Sequence, residues 1–146
     1  MNLELSGRNF LVTAASKGLG FSVARELLRE GARVMISSSN IGNHEIATQK
    51  LKGEGFTNFD TVACDLADAA SIDRLVDQTF AKFGVIDGFV TNCGGPPAGP
   101  PLAITDPQWQ RAFDTLFMSV VRLFRRIVPH MIERKQGSVL AITSTT

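Results

Sequence analysis

The sequence predicts an α/β fold built on a doubly wound parallel sheet, and three observations carry that reading. Short β-rich runs alternate with helical patterns along the whole chain, the arrangement of repeated βαβ units. The fourth such run, IDGFVTNC, is apolar enough to be buried on both faces, as inner strands of parallel sheets are. A glycine-rich turn follows the first run and opens a helix. At 146 residues the chain suits a single domain with a core of its own.

The first β run, RNFLVTAAS, covers residues 8–16, and a helix follows over 18–32. In that helix Leu19, Val23, Leu27 and Leu28 recur at helical spacing, and Gly31 supplies the stop. RVMISSSN, 33–40, is the second strand, and a weaker amphipathic helix over 44–55 carries Ile46 and Leu51. DTVACDL, 60–66, is the third strand. Over 71–84 Ile72, Leu75, Val76, Phe80 and Phe83 share a stripe, with Ser71 as N-cap and Gly84 as the stop.

After the fourth strand, 86–93, the stretch 94–104 reads as a loop. Four of the six prolines fall between Pro96 and Pro101, a density that excludes helix and inner strand. Asp106 followed by Pro107 starts one long helix running to 134, because proline at the first position sacrifices no hydrogen bond. Its apolar stripe runs Phe113, Leu116, Phe117, Val120, Val121, Phe124, Ile127, Val128, Met131. GSVLAITS, 137–144, is the fifth strand. The expected strand order is 3-2-1-4-5, which leaves the fifth strand as an outer edge with no proline or charge to block pairing.

Composition narrows the function classes. With 15 basic and 14 acidic residues the net charge is +1, so no excess charge recruits nucleic acid or an anionic membrane. Arg122, Arg125 and Arg126 read as a solvated helix face. The apolar runs are too short to cross a bilayer, and residues 1–10 lack the shape of a signal peptide. Cys64 and Cys93 read as free thiols in a reducing cytoplasm, with no disulfide and no metal site expected.

In sheets of this kind ligands bind beyond the carboxyl ends of the strands. After the first strand comes TAASKGLG, Thr13 to Gly20, a turn that exposes backbone N–H groups and the positive end of a helix dipole to a pyrophosphate. Gly18 lets the backbone approach phosphates and Gly20 lets the helix pack on the strand. After the second strand, Ser37 to Asn40 carry no carboxylate. An NAD site places an acid there for the ribose 2′-hydroxyl, whereas hydroxyls and a nearby Lys17 suit a 2′-phosphate, so NADP is preferred and NAD is the alternative. Asp65 and Leu66 follow the third strand, where an aspartate can accept from an adenine amino group or cap the next helix. Asn92, Cys93, Gly94 and Gly95 follow the fourth.

Taken together these stretches resemble the short-chain dehydrogenase/reductases. TAASKGLG resembles their glycine turn, CDL their adenine-pocket aspartate, TNCGG their N-N-A-G stretch and GSVLAITS the strand that delivers their catalytic serine. The likeness runs the whole chain in order and leans toward the 3-oxoacyl-[acyl-carrier-protein] reductase branch. It implies a Rossmann-type dinucleotide-binding domain over 1–146, the N-terminal portion of a longer chain. Thr13, Ser16, Lys17, Gly18, Leu19 and Gly20 would hold pyrophosphate and ribose, and Ser38 and Ser39 the 2′-phosphate. Asp65 and Leu66 would meet the adenine, Asn92 and Gly94 the nicotinamide-side ribose, and Ser144 would be the catalytic serine. The implied substrate is a small carbonyl, alcohol or acyl thioester, and the implied setting a cytoplasmic homo-oligomer.

Four departures qualify the resemblance. Ala14 replaces the family's first glycine, tolerable if its φ stays negative. Leu116 stands where the catalytic asparagine is usual and cannot hold a relay water. Ser39 replaces a common NADP-binding arginine. The family's general acid is a tyrosine beyond the serine strand, and this chain has no tyrosine, so it is expected to be inactive alone. A non-catalytic nucleotide-binding or regulatory module of the same fold is the rival reading. A flavodoxin-like domain is a weaker third, opposed by TAASKGLG together with TNCGG.

Overall fold

The computed structural model describes residues 3–96 and 98–144. Five strands, β1 (Asn9–Val12), β2 (Arg33–Ser38), β3 (Phe59–Ala63), β4 (Gly88–Thr91) and β5 (Ser138–Ala141), form one sheet in the order β3-β2-β1-β4-β5. Every pairing is parallel, with Leu11 of β1 set between Met35 of β2 and Phe89 of β4. The doubly wound sheet read from the sequence is therefore present, in the expected order.

The period-two geometry of β1 splits the core into two layers. Leu11, Met35 and Phe89 project to the face covered by α3 (Ala69–Phe83) and α5 (Ser119–Glu133), where they meet Leu75, Leu123 and Ile127. Val12, Val34, Ile36 and Val90 project to the other face, packed on Ala24 and Leu28 of α1 (Gly18–Arg29) and Leu51 of α2 (Ile41–Gly53). All four residues of β4 are buried, as its composition requires.

Helix starts differ from the sequence reading where a better cap lies upstream. Asn40 Oδ1 accepts the Asn43 N–H at 3.0 Å, so α2 begins at Ile41. The carboxylate of Asp68 accepts the N–H groups of Ala70 and Ser71, which makes Asp68 the N-cap of α3; Ser71 is buried inside the helix. An ionised side chain at the positive end of the dipole outcompetes a hydroxyl for this place. In α1 the buried face is Gly20, Ala24 and Leu28, while Leu19 is 68% exposed. Ile46 is exposed as well.

The long helix expected over 107–134 is three pieces: α4 (Asp106–Phe113), a π turn (Asp114–Met118) and α5. A π turn admits one extra residue, rotating everything after it by roughly 100° relative to a regular helix. The buried face of α5 is accordingly Ser119, Leu123, Ile127 and Met131, while Phe113, Leu116, Phe117 and Phe124 are exposed. Asp114 and Arg122 bracket the turn with an ion pair at 2.9 Å, and Ser119 Oγ donates to the Thr115 carbonyl at 2.6 Å.

Arg122 also donates to the Ala67 carbonyl, and Arg126 pairs with Asp73 and Asp77. Arg122 and Arg126 thus tie α5 to α3 and its N-terminal approach, while Arg125 and Arg126 lie on the exposed face of the helix. On β5 all four residues are exposed, with Leu140 at 54%. Among the described residues no helix is long and apolar enough to cross a membrane, and both cysteines are free thiols.

Candidate functional site

A cleft of about 810 Å³ opens at the carboxyl ends of β1 to β4, where the four post-strand stretches converge beneath α4. Ser16, Lys17, Gly18, Leu19, Ser38, Ser39, Asp65, Leu66, Asn92 and Gly94 all line it. Three sequence-derived site residues do not line it: Thr13, Gly20 and Ser144.

Thr13 is only 1% exposed and serves the site from behind. Its Oγ1 donates to the Asn92 carbonyl at 2.7 Å and accepts the Asn92 N–H at 2.9 Å, fastening the turn after β1 to the turn after β4. Gly20 is buried and sits at their junction. A Cβ there would lie 2.7 Å from the Ala14 oxygen and 2.8 Å from Asn92 Nδ2, so only glycine lets α1 approach this closely. Ser144 lies past the end of β5, on the exposed side.

Ala14 overturns an expectation. Its φ is +47°, in the left-handed region, where the reading of the sequence had required a negative angle. The neighbours impose it: Asn92 Nδ2 donates to the Ala14 carbonyl at 3.1 Å, and the Ala15 N–H donates to Ser37 O at 2.8 Å. For a residue with a Cβ this conformation costs about 1–2 kcal/mol. Gly18, at φ +60°, occupies the same region without that cost.

The N-terminus of α1 has no side-chain cap and no acidic residue in its first turn. Its unpaired N–H groups and positive dipole end therefore face the cleft, beside the exposed Lys17. Such an end is suited to an anion, and a phosphate satisfies both the N–H groups and the dipole.

At the end of β2 the Ser38 hydroxyl is buried yet borders the cleft. Its oxygen accepts from Ser16 Oγ at 2.9 Å and from the Asn40 N–H at 3.3 Å. With both those bonds accepted, its own proton is left to donate. No carboxylate lies on this stretch.

Asp65 faces across the cleft to α4, where Arg111 donates to both of its carboxylate oxygens, at 3.1 and 3.3 Å. Burial pushes the Asp65 carboxyl up, but the Ala67 N–H and the Arg111 guanidinium outweigh it and hold the group below its ordinary range. Asp65 does not cap α3; it accepts from Ala67 at 3.0 Å in a local turn. Burial also pushes the Cys64 thiol up to about 11 and raises Cys93, so neither is a reactive thiolate near neutral pH.

Arg111, Asn40 and Asn43 line the cleft although the sequence did not single them out. Arg111 gave no local signal, since its partner lies 46 residues away. Asn40 had one: an asparagine directly before a helix is a strong N-cap. Leu116 borders the cleft from the π turn with an aliphatic side chain, as the sequence requires. Among the described residues no group of three or more His, Cys, Asp or Glu could hold a metal ion.

Residues 8–146 match the family model for short chain dehydrogenase. A dehydrogenase/reductase SDR family member 4 from Caenorhabditis elegans is 35% identical over 138 residues, which is 94% of this chain and 53% of that protein. L-sorbose reductase from Gluconobacter frateurii, solved with NADPH and L-sorbose, superposes with a TM-score of 0.88 at 30% identity, covering 97% of this chain and 54% of that one. Actinorhodin polyketide ketoreductase, solved with NADPH, superposes with a TM-score of 0.87 at 28% identity over 94% and 53% of the respective chains. The chain spans about half the length of the relatives it matches.

Proposed function

The chain belongs to the short-chain dehydrogenase/reductase family, and on that premise we propose that its cleft binds NADP(H) as the dinucleotide domain, residues 1–146, of an oxidoreductase. The observation that carries the reading is the uncapped N-terminus of α1, open to the cleft that Lys17 and Ser38 also line, with no carboxylate on the stretch Ser37 to Asn40 after β2. NADPH-bound structural neighbours support the choice of cofactor.

In this reading the backbone at Ser16, Gly18 and Leu19 receives the pyrophosphate. Lys17, Ser38 and Ser39 receive the 2′-phosphate, and Asp65 and Leu66 the adenine. Asn92 and Gly94 border the nicotinamide-side ribose, while Thr13 and Gly20 act by fixing the turns. The bound nicotinamide supplies or takes a hydride at a carbonyl or secondary alcohol. Ser144 donates a hydrogen bond to the substrate oxygen, and a 3-oxoacyl thioester is the substrate class we favour. We place the protein in a reducing cytoplasm, a setting its two free thiols support, and as a homo-oligomer, which the exposed Phe113, Phe117 and Phe124 support.

The second reading, a nucleotide-binding or regulatory module without turnover, is favoured by Leu116, an aliphatic side chain in the cleft wall. Both readings require cofactor binding, so a fluorescence titration with NADPH tests their common ground. Saturable binding with a shift in nicotinamide emission is expected. A folded chain with no saturable binding would refute both.

A further inference from the structure

We propose that His44, on α2 and outside the cleft, is a positioning residue that sets the preference for NADP(H) over NAD(H) by fixing the Ser38 peptide beneath the 2′-phosphate subsite. The inference rests on the cofactor reading above and adds a residue to it.

The buried face of α2 is His44, Ala47 and Leu51, so an imidazole occupies a place in an otherwise aliphatic row. It is 8% exposed, and burying a polar ring is unfavourable unless its nitrogens are bonded. His44 Nε2 lies 2.9 Å from the Ser38 carbonyl oxygen. A carbonyl only accepts, so Nε2 carries the hydrogen and donates. The same oxygen accepts the Cys64 N–H at 2.9 Å through the sheet ladder, so this bond is an addition to the ordinary β2 to β3 pairing.

Ser38 is thereby held from three sides. β3 and α2 hold its carbonyl, while the turn after β1 holds its hydroxyl through Ser16 at 2.9 Å. The Asn40 N–H adds a fourth bond, and Asn40 in turn caps α2. These bonds fix the direction in which the one remaining Ser38 proton points, and with it the start of the Ser39 and Asn40 turn.

That rigidity matters here because the turn carries no arginine or lysine of its own. A guanidinium arm can follow a displaced phosphate, whereas a short hydroxyl works only where the backbone places it, within about 0.5 Å of a productive position. Releasing the Ser38 carbonyl should therefore weaken a ligand bearing the 2′-phosphate. A ligand with a 2′-hydroxyl, held by the same cleft through pyrophosphate and adenine, should lose far less. A histidine that merely filled space would move both affinities together.

The test is calorimetric titration of NADPH and NADH against wild type, His44→Leu, His44→Met and His44→Gln. Glutamine Nε2 stands as many bonds from Cα as histidine Nε2 and can donate to the same carbonyl. The NADPH-over-NADH affinity ratio should fall about tenfold in His44→Leu and His44→Met, the scale of one hydrogen bond supporting a charged group. It should return to within about threefold of wild type in His44→Gln. Both ligands are measured on one sample, so a loss of folded protein cancels in the ratio, and the methionine variant serves if leucine does not fold. An unchanged ratio in the aliphatic variants, or a glutamine variant that behaves like leucine, would overturn the proposal. A wild type with no preference for NADPH would instead overturn the cofactor reading on which it rests.

Discussion

Thr13 and Asn92 hold each other by a reciprocal pair, the Thr13 hydroxyl donating to the Asn92 carbonyl at 2.7 Å and accepting the Asn92 N–H at 2.9 Å. The pair spans the step from β1 to β4 and leaves the Asn92 side chain free to donate to Ala14. A hydroxyl that never reaches the cleft thus shapes two of its walls. Thr13→Val keeps the shape of the side chain and leaves the Asn92 peptide unpaired. It should cost about 1–3 kcal/mol in urea unfolding and weaken NADPH binding, while Thr13→Ser stays near wild type. Binding unchanged in a folded valine variant would show that the pair does not shape the site.

Ala14→Gly should break the usual rule for that exchange. Glycine in place of alanine normally loses roughly 0.5–1 kcal/mol of stability through unfolded-state entropy. At φ +47° the alanine already carries strain of comparable size, which glycine relieves. The thermal midpoint should hold or rise. A fall of the ordinary size would contradict the left-handed conformation.

Asp87 predicts where acid begins to unfasten the sheet. Its Oδ2 accepts the Asn9 N–H at 2.9 Å and its Oδ1 takes Arg134 at 2.8 Å, with Arg8 nearby. Burial raises its carboxyl, but Arg134, the Asn9 N–H and Arg8 outweigh that and hold it below the ordinary range. A depressed folded value means the stabilisation is complete above the unfolded value of about 3.9 and is lost as pH falls through the folded one. Urea midpoints of wild type and Asp87→Asn should differ at pH 7 and pH 5, then converge below about pH 3.9. A gap that widened in acid would reverse the assignment.

Turnover by the 146-residue chain alone should be absent, since Ser144 can polarise an oxygen but is not a general acid and the chain has no tyrosine. Loss of a positioned general acid removes roughly 10²–10⁴-fold. NADPH oxidation with a panel of ketones and 3-oxoacyl thioesters should stay at background. Turnover that disappears in Ser144→Ala would require another acid among the residues present.

The sheet was legible because it depends on local alternation: Leu11 and Val12 had to point to opposite layers, and the buried run at β4 could only be an inner strand. The cleft residues after each strand followed from that order. In the long helix Ile127 and Met131 of the expected stripe are buried, but Phe113, Leu116, Phe117 and Phe124 are not and Leu123 is, because a π turn at 114–118 leaves no mark in composition. The left-handed φ of Ala14 was not legible for a similar reason: it accompanies bonds to Asn92 and Ser37, far away in sequence. The Arg111 to Asp65 pair joins two stretches that only the assembled topology brings together.

Cofactor selectivity tests the proposed 2′-phosphate subsite at Ser38 and Ser39 most directly. Titrating NADPH and NADH against wild type, Ser38→Asp and Ser39→Asp places a carboxylate at the buried and the exposed serine in turn. Like-charge contact with a 2′-phosphate costs on the order of a few kcal/mol. Wild type should bind NADPH more tightly than NADH, and each aspartate should abolish or invert that order while NADH binding is largely kept. A wild type that prefers NADH, or a folded aspartate variant that keeps its NADPH preference, would contradict the account.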